Sequence, residues 1–121
     1  MYELIEKAIE EFKLLNKPIR VISHLDCDGL TSASIMISAL KRENKKFVLS
    51  IVKQLNENIL KELSLENYNT IIFADLGSGQ IKLINKYLKN KKIFIFDHHN
   101  LEEDINYDHI IHVNPNLINL K

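Results

Sequence analysis

The sequence predicts an α/β protein with a parallel sheet of four to five strands flanked by helices. Short β-branched runs recur along the chain, helical patterns lie between them, and the runs do not alternate polar with apolar residues. Continuous apolar runs are typical of strands buried on both faces, and strand–helix alternation is typical of parallel sheets. We therefore expect a Rossmann-like arrangement.

The first predicted element is an amphipathic helix over residues 2–15. Its apolar residues recur at helical spacing, with glutamate and lysine between them. Asn16 and Pro18 end this helix, because proline cannot continue the hydrogen-bond ladder and restricts the residue before it.

Apolar runs then predict the strands. They are IRVIS (19–23), FVLSIV (47–52), TIIFA (70–74), KIFIF (92–96) and a weaker run, HIIHV (109–113). Helical patterns fill the intervals at roughly 29–43, 56–64 and 79–90. The whole chain, residues 1–121, is thus expected to form one domain.

Composition narrows the classes of function. The chain has 121 residues, 45% of them hydrophobic, and equal numbers of basic and acidic residues, 16 of each. A net charge of zero gives no long-range field to attract a polyanion. Cys27 is the single cysteine, so neither an internal disulfide nor a cysteine zinc cluster is possible. No signal peptide or membrane span is indicated, and we expect a soluble, cytoplasmic protein.

Polar residues with metal-binding chemistry cluster where the predicted strands end. They are His24, Asp26 and Asp28 after the first strand, Asp75 after the third, and Asp97, His98 and His99 after the fourth. The carboxyl ends of parallel strands share one edge of the sheet, where such folds bind ligands. Three separate segments therefore deliver acids and imidazoles to one place.

The first segment, SHLDCDGLTS, places potential ligands at every second position. If the strand continues through them, His24, Asp26 and Asp28 project to one side. Divalent cations would relieve the repulsion between neighbouring carboxylates. Mixed histidine and carboxylate ligands favour Mn²⁺ or Mg²⁺, with Zn²⁺ or Fe²⁺ as alternatives. A competing interpretation makes Asp28 the N-cap of the next helix.

Glycines accompany two of these segments. Gly29 permits a tight turn into the next helix, whose N-terminus suits a phosphate. DLGSGQ, residues 75–80, has the same character, although Gly-Ser-Gly is also a common turn. A phosphate-bearing substrate beside the metals is consistent with both.

Together, HLDCDG, the strand-terminal Asp75 and the triplet Asp97-His98-His99 resemble the DHH phosphoesterase superfamily over residues 20–115. The stretches ADLGSGQ and DHHN look most like archaeal RecJ-like exonucleases. The resemblance implies a DHH-domain fold and a hydrolase that cleaves phosphodiester bonds in single-stranded DNA or RNA. It also implies a replication complex of GINS type as a partner.

Carried onto this sequence, the resemblance implies a site for two Mn²⁺ ions, with Mg²⁺ possible. His24 and Asp26 would hold one ion. Asp28 and His98 would hold the other, and Asp75 would bridge both.

The resemblance implies different roles for the other two residues of the triplet. Asp97 would orient a ligand histidine, and His99 would contact the scissile phosphate. Family members also carry a further metal-binding aspartate and a second domain, neither of which is visible after Asn114-Pro115. We therefore expect the N-terminal part of a longer enzyme, a truncated form or a reduced paralogue. Whether this chain is active by itself stays an open question.

Two other functions stay open: a phosphoesterase for short oligonucleotides, cyclic dinucleotides or pyrophosphate, and a non-catalytic replication module. Of the remaining candidates, Cys27 is expected to be a small packing residue. His109 and His112 are expected to have polar surface roles, and the lysine-rich segments 41–46 and 89–92 to be solvated.

Overall fold

A computed structural model describes residues 2–101 and 106–115, in which helices and strands alternate from the start of the chain. The helices are α1 (Tyr2–Lys13), α2 (Cys27–Arg42), α3 (Glu57–Leu65) and α4 (Ile81–Tyr87), with a short 3-10 helix at Ser78–Gln80. The strands are β1 (Ile19–His24), β2 (Phe47–Val52), β3 (Thr70–Ala74), β4 (Lys92–Phe96) and β5 (Ile110–Val113).

All five strands pair in parallel, in the order β2-β1-β3-β4-β5, so the predicted fold class is confirmed. One face of the sheet packs against α1 and α2 in a cluster that includes Ala8, Leu40 and Phe94. The other face packs against α3 and α4 in a cluster that includes Leu60 and Ile84. These two apolar layers bury the central strands, as their continuous apolar sequences require.

Strand β2 differs from the expectation of burial on both faces. It lies at the edge of the sheet, and its residues are only partly buried. Val48 and Ile51 are exposed. An apolar run therefore predicted the strand correctly but not its place in the sheet.

All four helices differ by one or more residues from their predicted bounds, and for two of them the structure shows the reason. Helix α2 starts at Cys27 because Asp26 supplies the cap, two residues before the predicted start. The pattern at 79–90 is divided: Gln80 N donates to Gly77 O at 3.0 Å, a 3-10 hydrogen bond, and α4 begins only at Ile81. The predicted packing role of Cys27 is wrong, since its thiol is exposed in the first turn of α2.

A helix that crosses a bilayer needs about 20 consecutive, mostly apolar residues. Within the described residues, no helix is both long and apolar enough to span a membrane.

The hydroxyl of Ser23 joins the ends of β1, α2 and β3. It is fully buried and lies 2.7 Å from Gly29 O and 2.9 Å from Ala74 O, either of which can accept its proton. We expect Ser23→Ala to lower the free energy of unfolding by about 0.5–1.5 kcal/mol, because it removes a buried hydrogen bond between these elements. Denaturant unfolding measures the change. Ser34→Ala on the exposed side of α2 is the control, and equal losses in both variants would contradict the prediction.

Candidate metal centre

The predicted site residues meet at the carboxyl edge of the sheet in two groups that share one member. Within each group, one ligand atom per residue lies within 4.8 Å of the others. The first group is His24, Asp26 and Asp75. The second is Asp75, Asp97, His98 and His99. Segments far apart in sequence therefore converge on Asp75.

Asp75 lies directly after β3 with an unusual backbone conformation. Its φ of 65° is in the left-handed region, which aspartate and asparagine tolerate better than most residues. Its carboxylate is 1% exposed, and burial raises its pKa. Oδ1 accepts a hydrogen bond from His98 Nε2 at 2.7 Å, while Oδ2 is buried without a hydrogen-bond partner among the described residues. A buried oxygen of this kind is suited to a cation.

Asp26 combines a structural contact with the site. Its Oδ1 accepts from Gly29 N at 2.8 Å, which caps α2 and lowers the pKa of the carboxyl. Its Oδ2 lies 3.0 Å from His24 Nδ1. Asp26, not Asp28, is therefore the N-cap, and the carboxylate has one oxygen left for the site.

The orientation of the His24 ring is set by the backbone after β2. Nε2 lies 2.9 Å from Lys53 O, to which it donates a proton. In the neutral ring this leaves Nδ1 unprotonated and facing the site. Nδ1 is buried there, and no described group hydrogen-bonds to it. Such a carbonyl contact is what commonly orients a metal-binding histidine. The donor set on this side therefore fits a divalent cation.

The predicted row of ligands along one extended strand is wrong. Strand β1 ends at His24, and Asp28 lies in the first turn of α2. Asp28 is exposed and its Oδ2 is 3.9 Å from His98 Nε2. It belongs to neither close group, because the cap at Asp26 turns the chain into a helix before a strand could carry all three residues to one side.

The Asp97 carboxylate organises the triplet that follows β4. Oδ1 accepts from His98 N at 2.8 Å and from His99 Nδ1 at 2.5 Å, and Oδ2 accepts from Ser78 N at 3.1 Å. Burial alone would raise the pKa of Asp97, but these hydrogen bonds outweigh it and the pKa is lowered. The hydrogen bond to Asp97 raises the pKa of His99. The rings of His98 and His99 stack with centroids 4.5 Å apart.

Three further residues support the site, and the sequence did not predict this role for any of them. Ser78 Oγ lies 2.7 Å from His112 Nε2 and accepts from Asn114 Nδ2 at 2.9 Å. His112 is buried, so its predicted surface role is wrong: β5 is covered on both faces. Asn114 follows a strand at the same edge, a position that could have identified it. The glycine-rich segment 75–80 was singled out, but nothing in the local sequence indicates that Ser78 and His112 hydrogen-bond to each other.

A cleft of about 250 Å³ opens beside these groups. Its wall includes His24, Asp75 and His99 together with the apolar Leu55 and Leu76. The site is therefore accessible to a ligand, while the Asp75 carboxylate lies at its buried side.

Comparison with known proteins gives one family and several similar structures. The family model described as "DHH family, N-terminal domain" matches residues 18–119. The uncharacterized protein MJ0831 of Methanocaldococcus jannaschii is 41% identical over 122 aligned residues, which cover 95% of this chain and 28% of that protein.

Among solved structures, exonuclease RecJ bound to manganese aligns with a TM-score of 0.72 at 23% identity, covering 90% of this chain and 30% of that one. RecJ from Thermus thermophilus in complex with Mn²⁺ aligns with a TM-score of 0.64 at 22% identity, covering 91% and 16%. CDC45 from Entamoeba histolytica aligns with a TM-score of 0.63 at 14% identity, covering 93% and 22%. The chain spans less than a third of the length of each of these proteins.

Proposed function

This chain belongs to the DHH family, and from that membership and the geometry of its site we propose that it is a phosphoesterase domain acting on single-stranded nucleic acid. One observation carries the proposal: a buried carboxylate, Asp75, is shared by two groups of potential ligands and has an unpaired oxygen between them. A shared carboxylate is suited to bridging two cations that would otherwise repel each other.

The proposed metals are two divalent cations, with Mn²⁺ preferred and Mg²⁺ as the alternative. His24 and Asp26 would hold one, and Asp75 would bridge to the second. His98, with Asp28 at 3.9 Å, would complete the second position. The manganese in the RecJ structures supports this choice. Bound there, the cations would supply positive charge against the phosphoryl oxygens and acidify the attacking water.

The remaining residues of the triplet would act on the substrate. His99 Nδ1 donates a hydrogen bond to Asp97, which fixes the orientation of the ring and raises its pKa. A raised pKa favours the protonated form of this ring, and an imidazole that donates N–H groups at the wall of the cleft is suited to contact the oxygens of a scissile phosphate. We therefore propose that His99 binds substrate, and that Asp97 positions it.

The function is tested by incubating the protein with end-labelled single-stranded DNA and RNA in Mn²⁺, in Mg²⁺ and in EDTA. Release of mononucleotides with Mn²⁺ and its loss in EDTA would support the RecJ-like proposal. Faster cleavage of a dinucleotide than of a long strand would instead favour a small-substrate phosphoesterase. Absence of Mn²⁺ binding in calorimetry would favour a non-catalytic module. Association with a GINS-type complex stays a prediction.

The two adjacent histidines are expected to separate metal binding from turnover. His98→Gln should weaken Mn²⁺ binding, because His98 Nε2 lies 2.7 Å from Asp75 Oδ1 and 3.9 Å from Asp28 Oδ2, at the proposed second metal position. His99→Gln should bind Mn²⁺ like the unchanged protein but lose about 10²–10³-fold in turnover, the usual range when one group that stabilises charge in the transition state is removed. Calorimetry and rate measurements on the same preparations provide the comparison. Equal losses of Mn²⁺ affinity in the two variants would refute the division of roles.

A further inference from the structure

The hydroxyl of Ser78 lies where three strand ends meet. Ser78 belongs to the segment after β3, and its amide donates to Asp97 Oδ2 at 3.1 Å in the segment after β4. Its Oγ lies 2.7 Å from His112 Nε2 in β5 and accepts from Asn114 Nδ2 at 2.9 Å just beyond β5. The same Asn114 amide donates to His99 O at 2.9 Å. One buried group therefore connects the segments that carry Asp75, Asp97 and His99.

Burial gives these hydrogen bonds their effect. Ser78, His112 and Asn114 are 3%, 8% and 0% exposed, and the Asp97 carboxylate that they support is 1% exposed. Water cannot readily replace a partner there, so each group has few alternative orientations. Polar networks that are buried and satisfied fix geometry as well as contributing stability.

We propose that His112, acting through Ser78, is a positioning residue that holds Asp97 and thereby directs the His99 ring into the cleft. Its ring is hydrogen-bonded to the Ser78 hydroxyl, and the Ser78 amide in turn donates to Asp97. Without His112, the Ser78 segment and Asp97 can shift together. A misplacement of about 1 Å at a reacting group can cost about 100-fold in rate.

His109 offers a matched control in the same strand region. Its ring makes two hydrogen bonds, with Nδ1 3.0 Å from Lys91 O and Nε2 2.8 Å from Asn85 Oδ1. Its partners lie at the N-terminal end of β4 and in α4, away from the ligand groups. His109→Leu therefore makes the same chemical change, and removes a hydrogen-bonded imidazole, without touching Ser78.

The test compares His112→Leu, His112→Gln and His109→Leu in the full chain. The first readout is the nuclear magnetic resonance signal of the His99 Nδ1 proton, which the short hydrogen bond to Asp97 should shift downfield, recorded without metal. We expect this signal to be lost or broadened in His112→Leu and retained in His109→Leu. Glutamine can donate or accept towards Ser78 Oγ, so His112→Gln should restore the signal at least partly.

The second readout is catalysis with Mn²⁺, and only this arm rests on the proposed function. We expect kcat to fall at least about 10-fold in His112→Leu, with KM and Mn²⁺ affinity little changed. If the unchanged protein hydrolyses nothing, the proposed function fails, while the resonance measurement still decides the positioning role. If His112→Leu does not fold, Ser78→Ala replaces it. An unchanged His99 signal in a folded variant of either position would overturn the inference.

Discussion

Replacing Asp75 by asparagine is expected to abolish two-cation binding while leaving the fold intact. The change removes the charge that both ligand groups share, and no neighbouring carboxylate within the described residues occupies the same position between them. Changes to mere supporting groups typically cost 10–100-fold in metal affinity, so we expect a loss of at least about 100-fold in Mn²⁺ affinity, and a comparable or larger loss in hydrolysis.

The same substitution should not destabilise the metal-free protein. Because burial raises the pKa of Asp75, the ionised carboxylate costs folding free energy at neutral pH, and a neutral amide removes that cost. Asparagine also tolerates the φ of 65° at this position. Thermal unfolding without metal should therefore show Asp75→Asn to be as stable as the unchanged protein, or more so.

Asp108→Asn is the matched control for Asp75→Asn. Asp108 is exposed in the turn before β5, and the same chemical change there should alter neither metal binding nor stability. Calorimetric titration with Mn²⁺ on both variants makes the comparison. An Asp75→Asn protein that binds Mn²⁺ like Asp108→Asn would exclude Asp75 as the bridging ligand.

Among the substitutions proposed for this protein, Gly29→Ala is expected to cause the largest loss of stability, although it adds only one methyl group. A Cβ at Gly29 would lie 2.0 Å from the carbonyl oxygen of His24 and 2.5 Å from its carbon, both backbone atoms that cannot rotate away. The start of α2 must therefore move off the end of β1. We expect a loss of about 3 kcal/mol or more, at or beyond the upper end of the range for overpacked sites.

The sign of the stability change in Gly29→Ala shows whether the steric clash or the helix propensity of alanine dominates. Gly29 lies inside α2, where alanine is intrinsically favoured by about 1 kcal/mol, so a net loss cannot come from propensity. Gly79→Ala is the control, because a Cβ there meets nothing within 4 Å. Denaturant unfolding of both variants gives the difference. Equal stability of the two would show that α2 can withdraw from β1 at little cost.

The sheet was predictable from sequence because its signal is local and repeated. Runs such as Thr70–Ala74 are apolar throughout, and the structure buries every residue of that strand. The place of β2 at the edge was not predictable, since Phe47–Val52 has the same apolar character as a central strand. Strand order depends on which segments pair, and that information is not contained in any one segment.

The sequence predicted which residues form the candidate site better than it predicted how they are arranged. Position at strand ends indicated Asp75 and the triplet, since parallel strands place those ends at one edge. The conformation after β1 was not evident, because Asp26 could either extend the strand or cap a helix, and only the Gly29 contact decides between them. His112 was misassigned because the hydroxyl that satisfies it comes from a segment 34 residues away.

The order β2-β1-β3-β4-β5 has a consequence for the time course of folding. Strand β1 ends at His24, and its neighbour β3 ends just before Asp75. Ser23 of β1 and Ala74 of β3 are 51 residues apart in sequence. Pairings at such separations form slowly, because the entropy of closing a long loop is lost before any stabilising contact forms. The ligand groups can approach one another only after these strands have paired. The appearance of Mn²⁺ affinity during refolding would therefore mark completion of the sheet, and local helix formation alone would not produce it.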